Sequence, residues 1–233
     1  MTSSVPAVHA SHAEGSDLQA VLLDMDGTLV DTEDLWWEAE SEVFAELGHV
    51  LDERERGIVI GGPMTRSVAH LIEATGVELT VEQLAPRINA RFVELIGRGV
   101  PLMPGAHRLL AELAAHQVPT ALVSASHRHI IDTVLRSLGP EHFALTVAGD
   151  EVARTKPHPD PYLLAAARLG AEPARCVVVE DTLTGVTAAE AAGCRVIAVP
   201  SLVPVEPAPG RTVVASLEQV DLTFLRSLIT AVH

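Results

Sequence analysis

Lysine is almost absent from this chain. Lysine and arginine together account for 16 of its 233 residues, and Lys156 is the single lysine. Arginine is a planar fork and lysine a compact charge on a flexible stem, so this survivor suggests a site that needs the compact charge, chance being the plain alternative. Positive charge is scarce altogether. The formal net charge of -15 argues against nucleic acid or an anionic membrane as the main partner, because both demand a basic surface. Long apolar runs are missing too, and Met1 to Asp17 has neither a basic n-region nor an apolar h-region, so neither a spanning segment nor an export signal is expected. The expectation is a cytoplasmic protein with a disordered tail over residues 1–17. There are two cysteines, Cys176 and Cys194, each beside a predicted strand, and without an export signal they read as buried thiols rather than a disulfide. No Gly-x-x-x-x-Gly-Lys run exists, which removes a nucleotide-binding P-loop. Nothing repeats, and no heptad pattern or unexplained apolar stripe calls for a second copy, so a monomer is expected.

What is present is a soluble globular composition, 48% hydrophobic and 20% charged, long enough for an α/β domain with a smaller companion. The chain is organised around Val21-Leu22-Leu23-Asp24-Met25-Asp26-Gly27-Thr28. Its apolar run reads as a buried strand, and Asp24 and Asp26 stand where that strand leaves the sheet. Alternation sends residues i and i+2 to the same side, so both carboxylates can face one small volume. Such a pair asks for a magnesium ion, a shared proton or both, unless it is simply a solvated strand end.

Helical periodicity follows. Leu35, Ala39, Val43 and Leu47 form one stripe, closed by Gly48, with Trp36 and Trp37 as apolar anchors. After a loop through Gly61-Gly62-Pro63, a helix is predicted from Thr65 to Thr75. Thr80 and Gln83 then make a capping-box signature for a third helix, in which Pro86 predicts a kink or a late start. Residues 34–99 thus read as an all-helical insertion. From Pro104 onward helices alternate with the strands Thr120–Val123, Leu145–Val147, Cys176–Val179 and Arg195–Val199, with Asp160-Pro161 as a helix N-cap and N1 pair. That order implies right-handed crossovers and a parallel sheet with helices on both faces. Val203 to Arg211 reads as loop and Leu217 to Ile229 as a closing helix. Function gathers outside the carboxyl ends of such strands. Three of them end in Asp24, Ser124 and Glu180-Asp181, with Lys156 in a loop able to reach the same edge.

A carboxylate nucleophile, a second carboxyl, a hydroxyl, a lysine and an acidic pair suit phosphoryl transfer through an aspartyl phosphate. These motifs resemble the haloacid dehalogenase-like superfamily, whose four motifs match Asp24-Met25-Asp26-Gly27-Thr28, Ser124, Lys156-Pro157 and Glu180-Asp181 in order and spacing. The resemblance runs from residue 18 to about 200. It implies a Rossmann-like α/β core from residues 18–33 and 100–233, and a helical cap from residues 34–99. It implies Asp24 as nucleophile and Asp26 as general acid and base. Mg2+ would be held by Asp24, the Asp26 backbone carbonyl and Asp181, with Glu180 direct or through water. Thr28, Ser124, Ala125 and Lys156 would bind the phosphoryl group, and Arg66 could reach substrate from the cap. The dehalogenases of this superfamily lack the second aspartate, and its phosphonate-cleaving members need a cap lysine that residues 34–99 lack. Mutases of the β-phosphoglucomutase type carry a histidine where Trp36 stands and an arginine-bearing loop where Gly61 to Arg66 runs. A phosphatase of a small phosphomonoester is therefore expected, ahead of a mutase. A phospho-aspartate signalling switch fits less well, because such receivers are about half this length and uncapped.

Overall fold

The computed structural model describes residues 18–59, 64–201 and 203–230. The expected tail and the Gly61-Gly62-Pro63 loop lie outside them. Six strands form one parallel sheet: β1 (Ala20–Leu23), β2 (Thr120–Val123), β3 (Leu145–Val147), β4 (Cys176–Glu180), β5 (Arg195–Ala198) and β6 (Arg211–Val213), in the order β3-β2-β1-β4-β5-β6. β1 is central, with Val21 in register with Thr120 on one side and Val177 on the other. All four β1 residues are buried, which explains a continuous apolar run where a half-exposed strand would alternate. The chain leaves β1 first toward β2 and later returns to β4 on its opposite side. That reversal opens a crevice at the carboxyl end of β1.

Alternate strand residues feed two cores. Val21, Leu23, Val177 and Val179 share one core with Leu109, Leu113, Ile131 and Leu225, whereas Ala20, Leu22 and Val178 pack with Tyr162 and Val186. Between β1 and β2 the chain forms α1 (Glu33–Glu46), α2 (Arg56–Val59), α3 (Met64–Thr75) and α4 (Val81–Gly97), then α5 (Ala106–Ala115). Up to Gly97 this insertion holds helices and no strand among the described residues. α1 lies against α4, where Trp36 stacks on Phe92 with ring centroids 3.7 Å apart. α4 starts at Val81 despite Pro86, so the expected late start does not occur. The Thr80 N–H donates to Gln83 Oε1 at 2.9 Å, fixing the first turn ahead of the proline.

The remaining helices are α6 (Arg128–Leu138), α7 (Asp160–Leu169), α8 (Leu183–Ala191) and α9 (Leu222–Thr230). Three local expectations need correction. Pro159, not Asp160, caps α7, and the Asp160 carboxylate is instead held by Arg154 at 3.0 Å. The proline-rich stretch ends in an edge strand, β6, whose three residues are only half-buried and so lack a strong apolar pattern. The closing helix is split, because Leu217–Gln219 makes a separate turn. α9 begins only after Asp221, whose carboxylate accepts from the Phe224 N–H at 2.7 Å. Both cysteines are free and buried. No described helix is long and apolar enough to cross a membrane.

Candidate active site

The strand ends deliver their polar residues to one place. At the tip of β1 the Asp24 N–H still donates to Val179 O at 3.0 Å, so its carboxylate leaves the sheet beside β4. Lys156 reaches this point from the loop before α7. Its ammonium donates to Asp24 Oδ1 at 2.5 Å, Glu180 Oε1 at 2.6 Å and Val123 O at 2.9 Å. Those bonds use all three ammonium donors. Glu180 also accepts from the Tyr162 hydroxyl at 2.7 Å and, on Oε2, from Asp181 N, Thr182 N and Thr182 Oγ1. Carboxylate oxygens of Asp24, Glu180 and Asp181 lie within 4.8 Å of one another, all three residues buried.

Glycine is required here by space. A Cβ on Gly27, where φ is +79°, would stand 2.2 Å from Asp181 Oδ2, and one on Gly185 would stand 1.7 Å from Glu180 Oε1. The chain turns at Gly27 directly under one carboxylate, and α8 runs against the other.

Asp26 lives in different surroundings. Its Oδ1 accepts from Thr32 Oγ1 at 3.0 Å, and its Oδ2 from Ser126 Oγ at 2.9 Å and Ser124 Oγ at 3.3 Å. Asp24 is thus set in an ionic cluster and Asp26 in a cage of hydroxyls.

The electrostatics follow from this division. Burial, reinforced by Glu180, pushes the Asp24 carboxyl well above its ordinary range, and Lys156 only partly opposes this. Burial and then Glu180 raise Asp181 to about 7 against the 2.6 Å hydrogen bond donated by Ser201. For Lys156 burial alone would favour the neutral amine, but Asp24 and Glu180 outweigh it and keep the ammonium charged. Burial also raises Asp26, and its three hydroxyl donors pull it part of the way back. Three crowded carboxyls with one ammonium are short of positive charge, which is the condition a divalent cation relieves.

A cavity of about 570 Å³ opens beside Asp26, Gly27, Ser126 and Asp181, and Trp36, Glu40, Val59, Met64 and Asn89 of the helical insertion form its opposite wall. The structure brings Asp24, Asp26, Ser124, Lys156, Glu180 and Asp181 together. Others stand apart. Thr28 is buried, with its hydroxyl unpartnered and away from the cavity. Ala125 is exposed, and its carbonyl packs so closely on Gly149 that a Cβ there would lie 2.1 Å away. Arg66 does not line the cavity, because its guanidinium donates to Ile58 O at 2.7 Å and Gly57 O at 3.4 Å. Sequence reasoning missed Ser126, Thr32, Tyr162, Ser201 and Glu40. Ser126, two residues after Ser124, was open to the same alternation argument as the aspartates; Tyr162 and Glu40 carried no local signal. A separate group, His49, Glu55 and His70, forms a hydrogen-bonded clasp within the insertion, both ring Nε2 atoms meeting Glu55 Oε1 at 2.8 and 2.7 Å.

This fold and this set of strand-end residues define a haloacid dehalogenase-like hydrolase. The model of that family matches residues 21–199, and the chain belongs to it. Among curated relatives, it is 32% identical over 209 residues to hexitol phosphatase B of Escherichia coli O157:H7, covering 88% of this chain and 93% of that protein. It is 35% identical over 184 residues to the bifunctional riboflavin kinase/FMN phosphatase of Arabidopsis thaliana, covering 78% of this chain and 48% of the relative. The chain thus spans about half the length of that plant protein. Among solved structures, CbbY of Rhodobacter sphaeroides in complex with xylulose-(1,5)bisphosphate superposes with a TM-score of 0.73 at 30% identity, covering 89% of this chain and 99% of CbbY.

Proposed function

We propose that the protein is a Mg2+-dependent phosphatase that hydrolyses a small phosphomonoester, a sugar phosphate or similar, through an aspartyl phosphate on Asp24. It is a phosphoric monoester hydrolase of the haloacid dehalogenase-like family. The observation that carries this reading is the paired but unequal setting of the two aspartates. Asp24 is clamped by an ammonium in an acidic cluster, and Asp26 is held by hydroxyls at the cavity.

In the first half-reaction an Asp24 carboxylate oxygen bonds to phosphorus and the ester P–O bond breaks. The Asp26 carboxyl, whose burial favours the protonated form, gives a proton to the departing alkoxide oxygen. In the second half water attacks the same phosphorus, Asp26 takes back a proton, and the Asp24 acyl phosphate bond opens to release inorganic phosphate. Lys156 holds Asp24 in place and offsets charge at the phosphoryl group. Ser124, at the β2 end, presents its hydroxyl on the same side.

The donor set fits magnesium, a hard cation that takes one or two carboxylates and keeps several waters. Asp24, Asp181 and the Asp26 carbonyl would hold it. Glu180 would act through water, because its two oxygens already accept five hydrogen bonds. Bound magnesium supplies positive charge to the transferring phosphoryl group and relieves the crowding of the acids.

Hydrolysis is favoured over mutase chemistry by the wall opposite the acids. Trp36 stands there, and no lysine or arginine lines the cavity among the described residues, so none of those lining residues offers a cation to the second phosphate of a bisphosphate intermediate. The test is phosphate release from sugar, polyol and short-chain phosphomonoesters with and without Mg2+, for wild type and Asp24→Asn, with β-glucose 1-phosphate also read for glucose 6-phosphate. Mg2+-dependent release that is lost in the variant supports the phosphatase. Isomerised sugar phosphate with little free phosphate identifies a mutase, and a long-lived phosphoprotein without turnover identifies a switch.

A further inference from the structure

Glu40 sits on α1 with 2% of its surface exposed, and it lines the cavity whose floor holds Asp26 and Asp181. Ser67 of α3 contacts its carboxyl, but the Ser67 hydroxyl proton already goes to Val59 O at 2.8 Å. Glu40 Oε2 has no hydrogen-bond partner among the described residues. A buried carboxyl oxygen left unpaired destabilises a fold, so its persistence calls for a partner that arrives with the ligand. The rest of this wall narrows what that partner is. Glu33 and Asn89 add a carboxyl and an amide, Trp36, Val59 and Met64 are apolar, and no cationic side chain lines the cavity among the described residues; the Arg66 guanidinium, tied to carbonyls of α2, acts on Glu40 without lining the cavity. Such a wall accepts hydroxyl donors and offers no lining cation, among the described residues, to a second phosphate or a carboxylate on the leaving group.

Resting on the phosphatase reading above, we propose that Glu40 is a specificity-determining residue whose free carboxyl oxygen accepts a hydrogen bond from a hydroxyl of the leaving alcohol, selecting monophosphates of uncharged polyols or sugars. The geometry sets the division of labour: the floor recognises the phosphoryl group, and α1 reads the neutral, hydroxylated end of the molecule.

The test compares kcat/KM for a hexitol monophosphate, a hexose 1,6-bisphosphate, phosphoglycolate and phenyl phosphate, in wild type, Glu40→Gln and Glu40→Leu, with a melting temperature for each protein. Wild type should prefer the hexitol monophosphate over the bisphosphate and phosphoglycolate by at least ~10-fold. In Glu40→Leu the hexitol-to-phenyl ratio should fall by ~10-fold or more, mainly through KM, while the melting temperature rises because an unpaired buried carboxyl has gone. Glu40→Gln, which keeps an acceptor and the volume, should recover part of the ratio. An unmoved ratio, or a lower melting temperature with equal losses on every substrate, would overturn the assignment in favour of a structural glutamate. If wild type releases phosphate from none of the four substrates, the phosphatase reading falls and takes this one with it. Release from phenyl phosphate or the bisphosphate without sensitivity to Glu40 overturns the Glu40 assignment alone.

Discussion

Glu180 and Glu40 are both buried glutamates, 1% and 2% exposed, one in the acidic cluster at the strand ends and the other on the helical insertion that lines the cavity. Glu180 accepts five hydrogen bonds, including one from the Lys156 ammonium, whereas Glu40 keeps an oxygen with none among the described residues. The difference teaches which part of the site is finished before substrate arrives. The floor is preorganised, its charges fixed by the sheet and by one lysine, as chemistry on phosphorus requires. The wall formed by the helical insertion is left polar but unsatisfied, and an unsatisfied group discriminates between ligands because only some of them complete it.

Four results would break or sharpen this comparison. Asp24→Asn removes the proposed nucleophile, and phosphate release should fall by about 10³-fold or more, measured under saturating Mg2+. A variant that keeps its rate would remove the floor from the chemistry. Asp26→Asn should lower kcat by about 10²- to 10⁴-fold on an alkyl phosphate and by distinctly less on p-nitrophenyl phosphate, whose leaving group needs no proton. Equal losses on both would deny Asp26 its role as acid. Lys156→Met leaves Asp24 and Glu180 buried without their cation and should destabilise the metal-free protein by about 3–5 kcal/mol in urea unfolding. A neutral result would mean that the cluster is not held by that charge.

The smallest effect concerns pH. Burial raises Asp181 and Glu40 to about 7 each, above their unfolded values of 3.8 and 4.5. A carboxyl raised in the folded state contributes stability that is complete below its unfolded pKa and lost as pH rises through the folded one. Metal-free protein should therefore lose part of its stability between about pH 4 and about pH 8. Added Mg2+ should restore the share that belongs to the floor, while Glu40→Leu should remove the share that belongs to the wall. Thermal melts at several pH values separate the two. A loss that Mg2+ restores completely would assign no share to Glu40.

The same contrast explains what could be read from the sequence. Asp24, Ser124 and Glu180-Asp181 each end an apolar run, and a parallel sheet gathers such ends at one edge, so the floor was legible from strand patterns alone. Lys156 stood out by rarity and by its place between strands. Tyr162 was not legible, since its contact with Glu180 depends on how α7 crosses the sheet. Glu40 lies in Glu38-Ala39-Glu40-Ser41-Glu42, which reads as a solvated helix face; the packing of α1 within the insertion, with Ser67 of α3 against its carboxyl, buries the middle glutamate. Arg66 looked free to reach substrate, but backbone carbonyls of α2, a helix too short to show in any periodicity, take its guanidinium. The fold was legible except at its margins, where β6 pairs along one edge only and α9 starts late.

The most direct test of the account is mass spectrometry of wild-type protein quenched in acid during turnover of a polyol monophosphate, with Mg2+ present. The account predicts one phosphoryl group on the peptide that carries Asp24, absent in chelator and absent in Asp24→Asn. Continued phosphate release with that peptide unmodified at every time point, together with release retained by Asp24→Asn, would contradict it.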